Sequence, residues 1–405
     1  MISNRKTGGV ALFFLFLFSI SFANQSGVII AGILTIYLLF HARWNVRIDI
    51  QLFLLFIFSI FYFLCYLAHW EIGVKEIVIF LIAPWAGYFF GRDTVERSGN
   101  TFLNKMILVL ALGFYIHGIL NLLSYLKIYG FNYQWRIAYD FWQRKEISPT
   151  GCGLYYVPLV SMCVGALFDN IKLWKKGLAL LAIAGGVFAS AIFSNRTLIY
   201  VIAILLFWGL LRLIFLGRKS AAVRYFYIVL LLFFGAMVLV IWKKNIFGMR
   251  DELLQLKIVE RLLNSNSRIP LWFDFLSKNP FQYPFGGKNV PLLNGTKWVH
   301  NLWLDVLNDV GVIPFLSLTV VSLLSAVSLV RFNLTHHLPL DYPLNACSFT
   351  ILGIFLCSMV EPIFEANPYI FVILMICIGG IQGSLNLGTA NKGTQYESHL
   401  HKQLF

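Results

Sequence analysis

Charge is what this chain of 405 residues has least of. Asp, Glu, Lys and Arg together make up 12% of it, where a soluble domain carries about a quarter. That scarcity excludes an ordinary water-soluble globule. Cysteine is sparse too: Cys65, Cys152, Cys163, Cys347, Cys357 and Cys377 lie within or at the ends of apolar runs, without metal-type spacing. They read as small core residues, which excludes a disulfide framework and a zinc site. Also absent are a Walker A lysine loop, an Asp-x-Asp metal pair and a glycine-rich dinucleotide turn. No nucleotide, cofactor or obligatory metal is therefore expected.

What fills the chain instead is apolar. Hydrophobic residues make up 59% of it, with 38 Phe, and the mean hydropathy is +0.76. Runs close to the ~20 residues needed to cross a bilayer recur along its whole length. They predict an all-α polytopic transmembrane bundle of about 12 spans, near 8–23, 26–42, 49–68, 73–91, 105–126, 152–168, 177–194, 197–216, 225–242, 311–330, 344–361 and 368–385. The opening Met1–Lys6 followed by an apolar stretch mimics a signal peptide. No small-residue cleavage site leads into a soluble domain, so the first span is expected to be retained. The chain thus divides into a bundle over 1–242 with nine spans, a polar external loop over 243–310, three further spans over 311–385 and a loose cytoplasmic tail over 386–405.

The net charge of +14 does not point to nucleic acid, because the basic residues sit in short connections and are not gathered into one domain. Arg5/Lys6, Arg43/Arg47, Arg92/Arg97/Lys105, Lys172/Lys175/Lys176, Arg218/Lys219/Arg224 and Arg331 fall on alternate connections. Those connections should be cytoplasmic. The others (Asn24–Gln25, His69–Ile72, Lys127–Gly151, Asn195–Arg196, Lys243–Val310 and Pro362–Asn367) then lie outside.

The long outer segment has its own pattern. Arg250–Leu263 reads as an amphipathic helix, with Leu253, Leu256, Val259 and Leu263 near helical spacing. Ser267 can cap a second short helix with Pro270 in its first turn, whose apolar face is Trp272, Phe273 and Leu276 and whose end is Asn279-Pro280. A stretch broken by Pro and Gly, 282–296, follows, and His300 opens the helix leading to Gly311.

Chemistry-bearing residues cluster on that side. Arg196 interrupts two apolar runs; it faces a wet cavity or a ligand anion, or it snorkels to headgroups. Arg268, at the start of a short helix, suits bidentate phosphate binding, although an exposed loop arginine is its common fate. His300 stands between Trp298 and Trp303 beside Asn301, and imidazole suits a general base near neutrality or a structural role. Asp305 and Asp309 follow on its helix and either orient it or serve as cap and surface residues. Arg136 keeps company with Tyr133, Trp135, Tyr139, Asp140 and Trp142, an aromatic loop that suits sugar stacking or, better, an interfacial belt. His117, within a span, reads as a partner for a helix carbonyl. Glu361 is an isolated carboxylate at the outer end of a span and pairs with one of the arginines.

In order, Ser194-Asn195-Arg196-Thr197, then Asn266-Ser267-Arg268 with Trp272, Asn279-Pro280 and Gly286-Gly287, then His300-Asn301-Leu302-Trp303-Leu304 with Gly311 resemble the O-antigen ligase and Wzy-type polymerase superfamily of bacterial envelope polysaccharide synthesis. Glu361-Pro362 and Pro368-Tyr369 look like that family's C-terminal end, and the resemblance spans roughly Phe193 to Gly380. Relatives often carry Ser-Arg-Gly where this chain has Asn195-Arg196-Thr197. The resemblance implies a glycosyltransferase-C-like bundle in the bacterial inner membrane, with its active site facing the periplasm or cell exterior. It implies transfer of an oligosaccharide from undecaprenyl diphosphate to a saccharide acceptor, metal-independent and inverting. Arg196, Arg268 and His300 are then the catalytic set, with Arg136, Asn301 and Glu361 binding substrate. A flippase and a chain-length regulator are the partners it implies, besides membrane lipid. An acceptor that is a second lipid-linked repeat unit makes the chain a polymerase; lipid A-core makes it a ligase. Nothing in the chain points to lipid A-core. A saccharide flippase or permease is the remaining reading, weakened because the notable charges sit at span ends and not at mid-membrane.

Overall fold

The computed structural model describes residues 12–13, 15–20, 48–71, 73, 76–131, 137–169, 171–215, 268–335 and 342–404, with Tyr225, Val229 and Lys243. The expected spans 26–42 and 225–242, the amphipathic helix Arg250–Leu263, the Ser267 cap and Arg136 lie outside the described residues.

The described chain is mostly helical. Helix α1 (Ile50–His69) is followed by a π-helical turn, Ile77–Ile82, that runs into α2 (Ala83–Ser98). Then come α3 (Asn100–Tyr129), a hairpin of β1 (Ala138–Asp140) and β2 (Lys145–Ile147), α4 (Pro149–Leu167), α5 (Leu173–Ile192) and α6 (Arg196–Phe215). After the undescribed stretch follow α7 (Arg268–Ser277), α8 (Leu302–Val310), α9 (Val312–Thr335), α10 (Tyr342–Ser358), the single turn α11 (Ile363–Ala366) and α12 (Pro368–Leu404). Among the described residues seven helices are long and apolar enough to cross a bilayer: α1, α3, α4, α5, α6, α9 and the first 20 residues of α12. The polytopic helical reading stands at that level.

Burial divides these helices into two kinds. In α4 and α12, 78% of the apolar window is buried, against 33–44% in the other five. A helix apolar all round belongs inside a bundle, whereas one buried on a single stripe presents its other side to lipid. So α4 and α12 are the central helices. α12 seats against α2 through facing glycines: a Cβ on Gly91 would lie 2.0 Å from the Ile376 carbonyl oxygen, and one on Gly379 2.0 Å from that of Tyr88. Small residues four apart let the two backbones close in.

Two expectations are corrected. Where a span was expected over 73–91, the helix runs on to Ser98 and is not among the seven, and Arg92, expected in an aqueous connection, is 3% exposed. Its guanidinium pairs with Asp49, the N-cap of α1, which also accepts the Tyr88 hydroxyl at 2.8 Å. Arg97 pairs with Asp93 one turn back at 2.6 Å. Charges matched in this way let a helix continue where unmatched ones would end the apolar run. The tail expected to be loose continues α12 as helix to Leu404, since extending an existing helix needs no new nucleus. One short hairpin interrupts this all-α bundle: Ala138 pairs with Ile147, Tyr139 with Glu146 and Asp140 with Lys145. The turn between them is closed by Asp140, whose carboxylate accepts the Gln143 N–H at 2.6 Å.

Candidate functional site

Each polar piece singled out in the sequence is built by a break between helices. Helix α5 ends at Ile192, and Ser194 in the left-handed region (φ 52°) turns the chain. The Asn195 side-chain oxygen then accepts the Leu198 N–H at 3.2 Å, capping α6, while its amide donates to the Pro149 carbonyl at 2.9 Å. This cap is the backbone setting of Arg196, which becomes the first residue of α6, with Thr197 next.

Arg268 likewise opens α7. Leu271 and Phe275, one turn apart, are the residues of α7 that are buried, and Trp272 donates its indole N–H to the Val299 carbonyl at 3.1 Å. The apolar face expected at Trp272, Phe273 and Leu276 is therefore rotated, and Phe273 is 70% exposed. The reason is the partner: α7 packs on a small local core of Phe275, Val290, Val299 and Leu307. Asn279 (φ 49°) ends the helix as expected, and Pro280 opens a 3₁₀ turn. The chain then returns along the end of α8. Gly287 N–H donates to the Asp309 carbonyl (2.8 Å), Lys288 N–H to Asn308 (2.9 Å) and Val312 N–H to Pro284 (3.0 Å). A Cβ on Gly311 (φ 90°) would stand 2.0 Å from the Pro284 oxygen, and one on Gly286 (φ 73°) 2.4 Å from that of Asp309. These contacts account for the Gly286-Gly287 and Gly311 signatures.

His300 lies just before α8, in the left-handed region at φ 60°. The Asp305 carboxylate holds it there, accepting the Val299 N–H at 2.7 Å and the Asn301 N–H at 3.0 Å, the peptides on either side. Asp305 thus positions the backbone of His300. Asn301 caps α8 by accepting the Leu304 N–H at 3.2 Å and donates to the Met359 carbonyl at 3.2 Å, so both ends of its amide are engaged by the fold. Asp309, 1% exposed, has Lys288 Nζ at 3.7 Å.

The three pieces meet at Glu361. Its Oε1 accepts from Arg268 Nη1 at 2.8 Å and from Thr197 Oγ1 at 3.2 Å, while His300 Nδ1 stands 3.8 Å from Oε2. Neither Oε2 nor that Nδ1 has a hydrogen-bond partner among the described residues. The Glu361 side chain is 1% exposed, that of Arg268 14% and that of His300 30%. Thr197, present in the sequence only as a neighbour of Arg196, completes the cluster, and Asp305, read there as orienting His300 or as a cap, supports it through the backbone. Arg196 and Arg268 line one cleft of about 230 Å³, walled by Tyr200, Val201 and Ile204 of α6 and by Leu356 and Val360. The cleft is thus lined by two cationic side chains and otherwise mainly by apolar ones.

Other expected outer connections come to the same end. His69 Nε2 lies 3.2 Å from the Phe285 carbonyl, and Lys288 Nζ sits 4.3 Å from the Trp298 ring centroid and 5.6 Å from that of Trp70. In the hairpin that follows Arg136, Trp142 donates to the Ile20 carbonyl at 2.7 Å and to His117 Nδ1 at 3.1 Å. Trp142 is tied to the fold by that N–H but stays 37% exposed, whereas His117 is buried, with its Nδ1 3.2 Å from the Ile20 carbonyl. Burial holds the Asp140 carboxyl above the ordinary carboxylate range. Among the described residues no group of three His, Cys, Asp or Glu is arranged to hold a metal ion.

Compared with known protein families the chain matches none, and no curated protein matches it.

Proposed function

We propose that this chain is a membrane glycosyltransferase that moves an oligosaccharide from undecaprenyl diphosphate to a second lipid-linked repeat unit. The observation that carries the reading is the cleft. Two arginines that begin two different helices line it, and the rest of its wall, from α6, α10 and Val360, is largely apolar. A diphosphate on a long isoprenoid tail has that polarity: anionic head, apolar stem. The arginine-headed helix starts add backbone N–H groups and the positive end of the helix dipole to the guanidinium charge.

The mechanism follows from placement. Arg196 and Arg268 meet the diphosphate, whose charge grows as the glycosidic bond breaks. His300, 30% exposed and linked to Arg268 through the Glu361 carboxylate, takes the proton from the acceptor hydroxyl. The acceptor oxygen attacks the anomeric carbon from the face opposite the diphosphate. One base and one displacement give inversion, with the arginines supplying the stabilisation that a metal supplies elsewhere. The bundle is then of the glycosyltransferase-C-like kind, set in a bacterial inner membrane with the cleft toward the periplasm or exterior. Membrane lipid surrounds it, and a flippase and a chain-length regulator are its expected partners.

A deletion strain complemented with variants tests this. Arg268→Ala and His300→Ala should abolish polymer while protein level and lipid-linked repeat units stay intact. Single capped units left in the deletion strain mark a polymerase. Uncapped lipid-linked polymer would mark a ligase acting on lipid A-core, and loss of outward-facing repeat units would mark a transporter. Normal polymer with both substitutions would refute glycosyl transfer at this site.

A further inference from the structure

We propose that Glu361 is a positioning residue whose one carboxylate sets both the cation that meets the leaving group and the base that meets the acceptor. The inference rests on the reading of Arg268 and His300 given above, and deepens it.

A carboxylate 1% exposed is costly to bury unless its oxygens are compensated. Here the compensation is lopsided. Oε1 takes both of its hydrogen bonds among the described residues, from Arg268 at 2.8 Å and Thr197 at 3.2 Å. Oε2 takes none among the described residues and looks across 3.8 Å at His300 Nδ1, itself without a partner there. At that distance the contact is electrostatic and not yet a hydrogen bond. Catalytic hydrogen bonds are often long before substrate arrives and tighten as charge develops. A carboxylate facing Nδ1 selects the tautomer with its proton there and leaves the Nε2 lone pair for the acceptor.

Both partners are held from behind. Glu361 is followed by Pro362 and by α11, whose Phe364 packs 4.7 Å from the Tyr62 ring centroid and 4.7 Å from that of Phe371. His300 is held by Asp305 through the peptides on either side. The charged and titratable groups around the carboxylate are Arg268, His300 and Cys357, with Arg196 in the same cleft.

In the reaction the acceptor O–H gives its proton to His300 Nε2. The acceptor oxygen forms the new bond to the anomeric carbon as the bond from that carbon to the diphosphate oxygen breaks. The bonding pair stays on the diphosphate, facing Arg196 and Arg268. The imidazolium so formed has its Nδ1–H aimed at Glu361 Oε2, and the proton passes to water before the next turnover.

The test uses the full chain in lipid nanodiscs with the host strain's own undecaprenyl-diphosphate-linked repeat unit, measuring transfer rate against pH. Glu361→Gln keeps the shape and removes the charge. Expected are a kcat loss of at least about 100-fold, a KM within a few-fold, and an acid limb of the rate profile displaced to lower pH. The sign follows because an imidazolium deprived of its anion loses its proton more readily. Glu361→Asp should restore the position of the limb. If Glu361→Gln keeps the wild-type limb and kcat, or moves the limb to higher pH, the assignment is overturned. Loss of transfer in His300→Ala with an unchanged Glu361→Gln would overturn this inference alone. Full transfer in both His300→Ala and Arg268→Ala would overturn the assignment of transfer to this site, and no transfer by the wild-type chain would overturn the glycosyltransferase reading beneath it.

Discussion

At the scale of single residues, the side chains that define this site do two different jobs. Arg196, Arg268 and His300 were legible in the sequence because each combines a costly or reactive group with a break in the apolar pattern. The pairing of Glu361 with an arginine was legible for the same reason: a carboxylate at a span's end needs a cation. What Asn301 and Thr197 do was not, and for Asp305 orienting His300 and capping stayed open, since a cap or a backbone acceptor depends on which peptides come within reach. Asp305 makes the point testable. Its two oxygens satisfy two buried N–H groups on either side of a residue held at φ 60°, and an asparagine can replace only one of those acceptors. Asp305→Asn should leave one N–H unsatisfied at a cost of about 1–3 kcal/mol and loosen His300. Transfer rate should fall while the amount of folded protein, read by size-exclusion chromatography in detergent, changes little. An unaltered rate would remove Asp305 from the site's support.

At the scale of elements, hydrophobic periodicity located the helices but not what each one faces. For α7 the expected stripe was rotated, because its partner is the loop that returns along α8, a contact made across more than ten residues of irregular chain. The pairing of α2 with α12 was equally hidden. Gly87, Gly91, Gly379 and Gly383 are visible in the sequence, but their spacing alone does not say that they face each other across nearly 300 residues. Backbone contact leaves no space for a side chain there. Gly379→Leu should drive α2 and α12 apart, costing about 3 kcal/mol or more by overpacking, whereas Gly177→Ala, with nothing within 4 Å of the added carbon, should cost nothing. Expression level and SDS resistance of the two variants check this. Equal behaviour would mean that the helices do not seat on these glycines.

At the scale of the whole molecule, the alternation of basic connections predicts that one end of the bundle faces the cytoplasm. The site, the hairpin and His69 gather at one end, while Asp49, Arg92 and Glu96, the last bonded to Asn386 at 2.8 Å, gather elsewhere. Single cysteines report the orientation directly. Ser277→Cys should react with a membrane-impermeant maleimide in intact spheroplasts, and Lys175→Cys only after permeabilisation. Five of the six native cysteines are buried, so background labelling should be low. Reaction of both, or of Lys175→Cys alone, would reverse or abolish the proposed outward-facing cleft.

Sequence alone determined that this is a helical membrane protein, and it marked where its polar chemistry lies. Both follow from transfer free energy, which is local: twenty apolar residues behave alike in any fold, and an arginine among them is anomalous in any fold. Only the tertiary structure decided that Thr197, Arg268 and His300 share one buried carboxylate, that Arg92 belongs inside and that α2 lies against α12. Those are contacts between distant segments, where a few tenths of an ångström separate a hydrogen bond or a backbone seat from none. Periodicity along the chain carries no term for that.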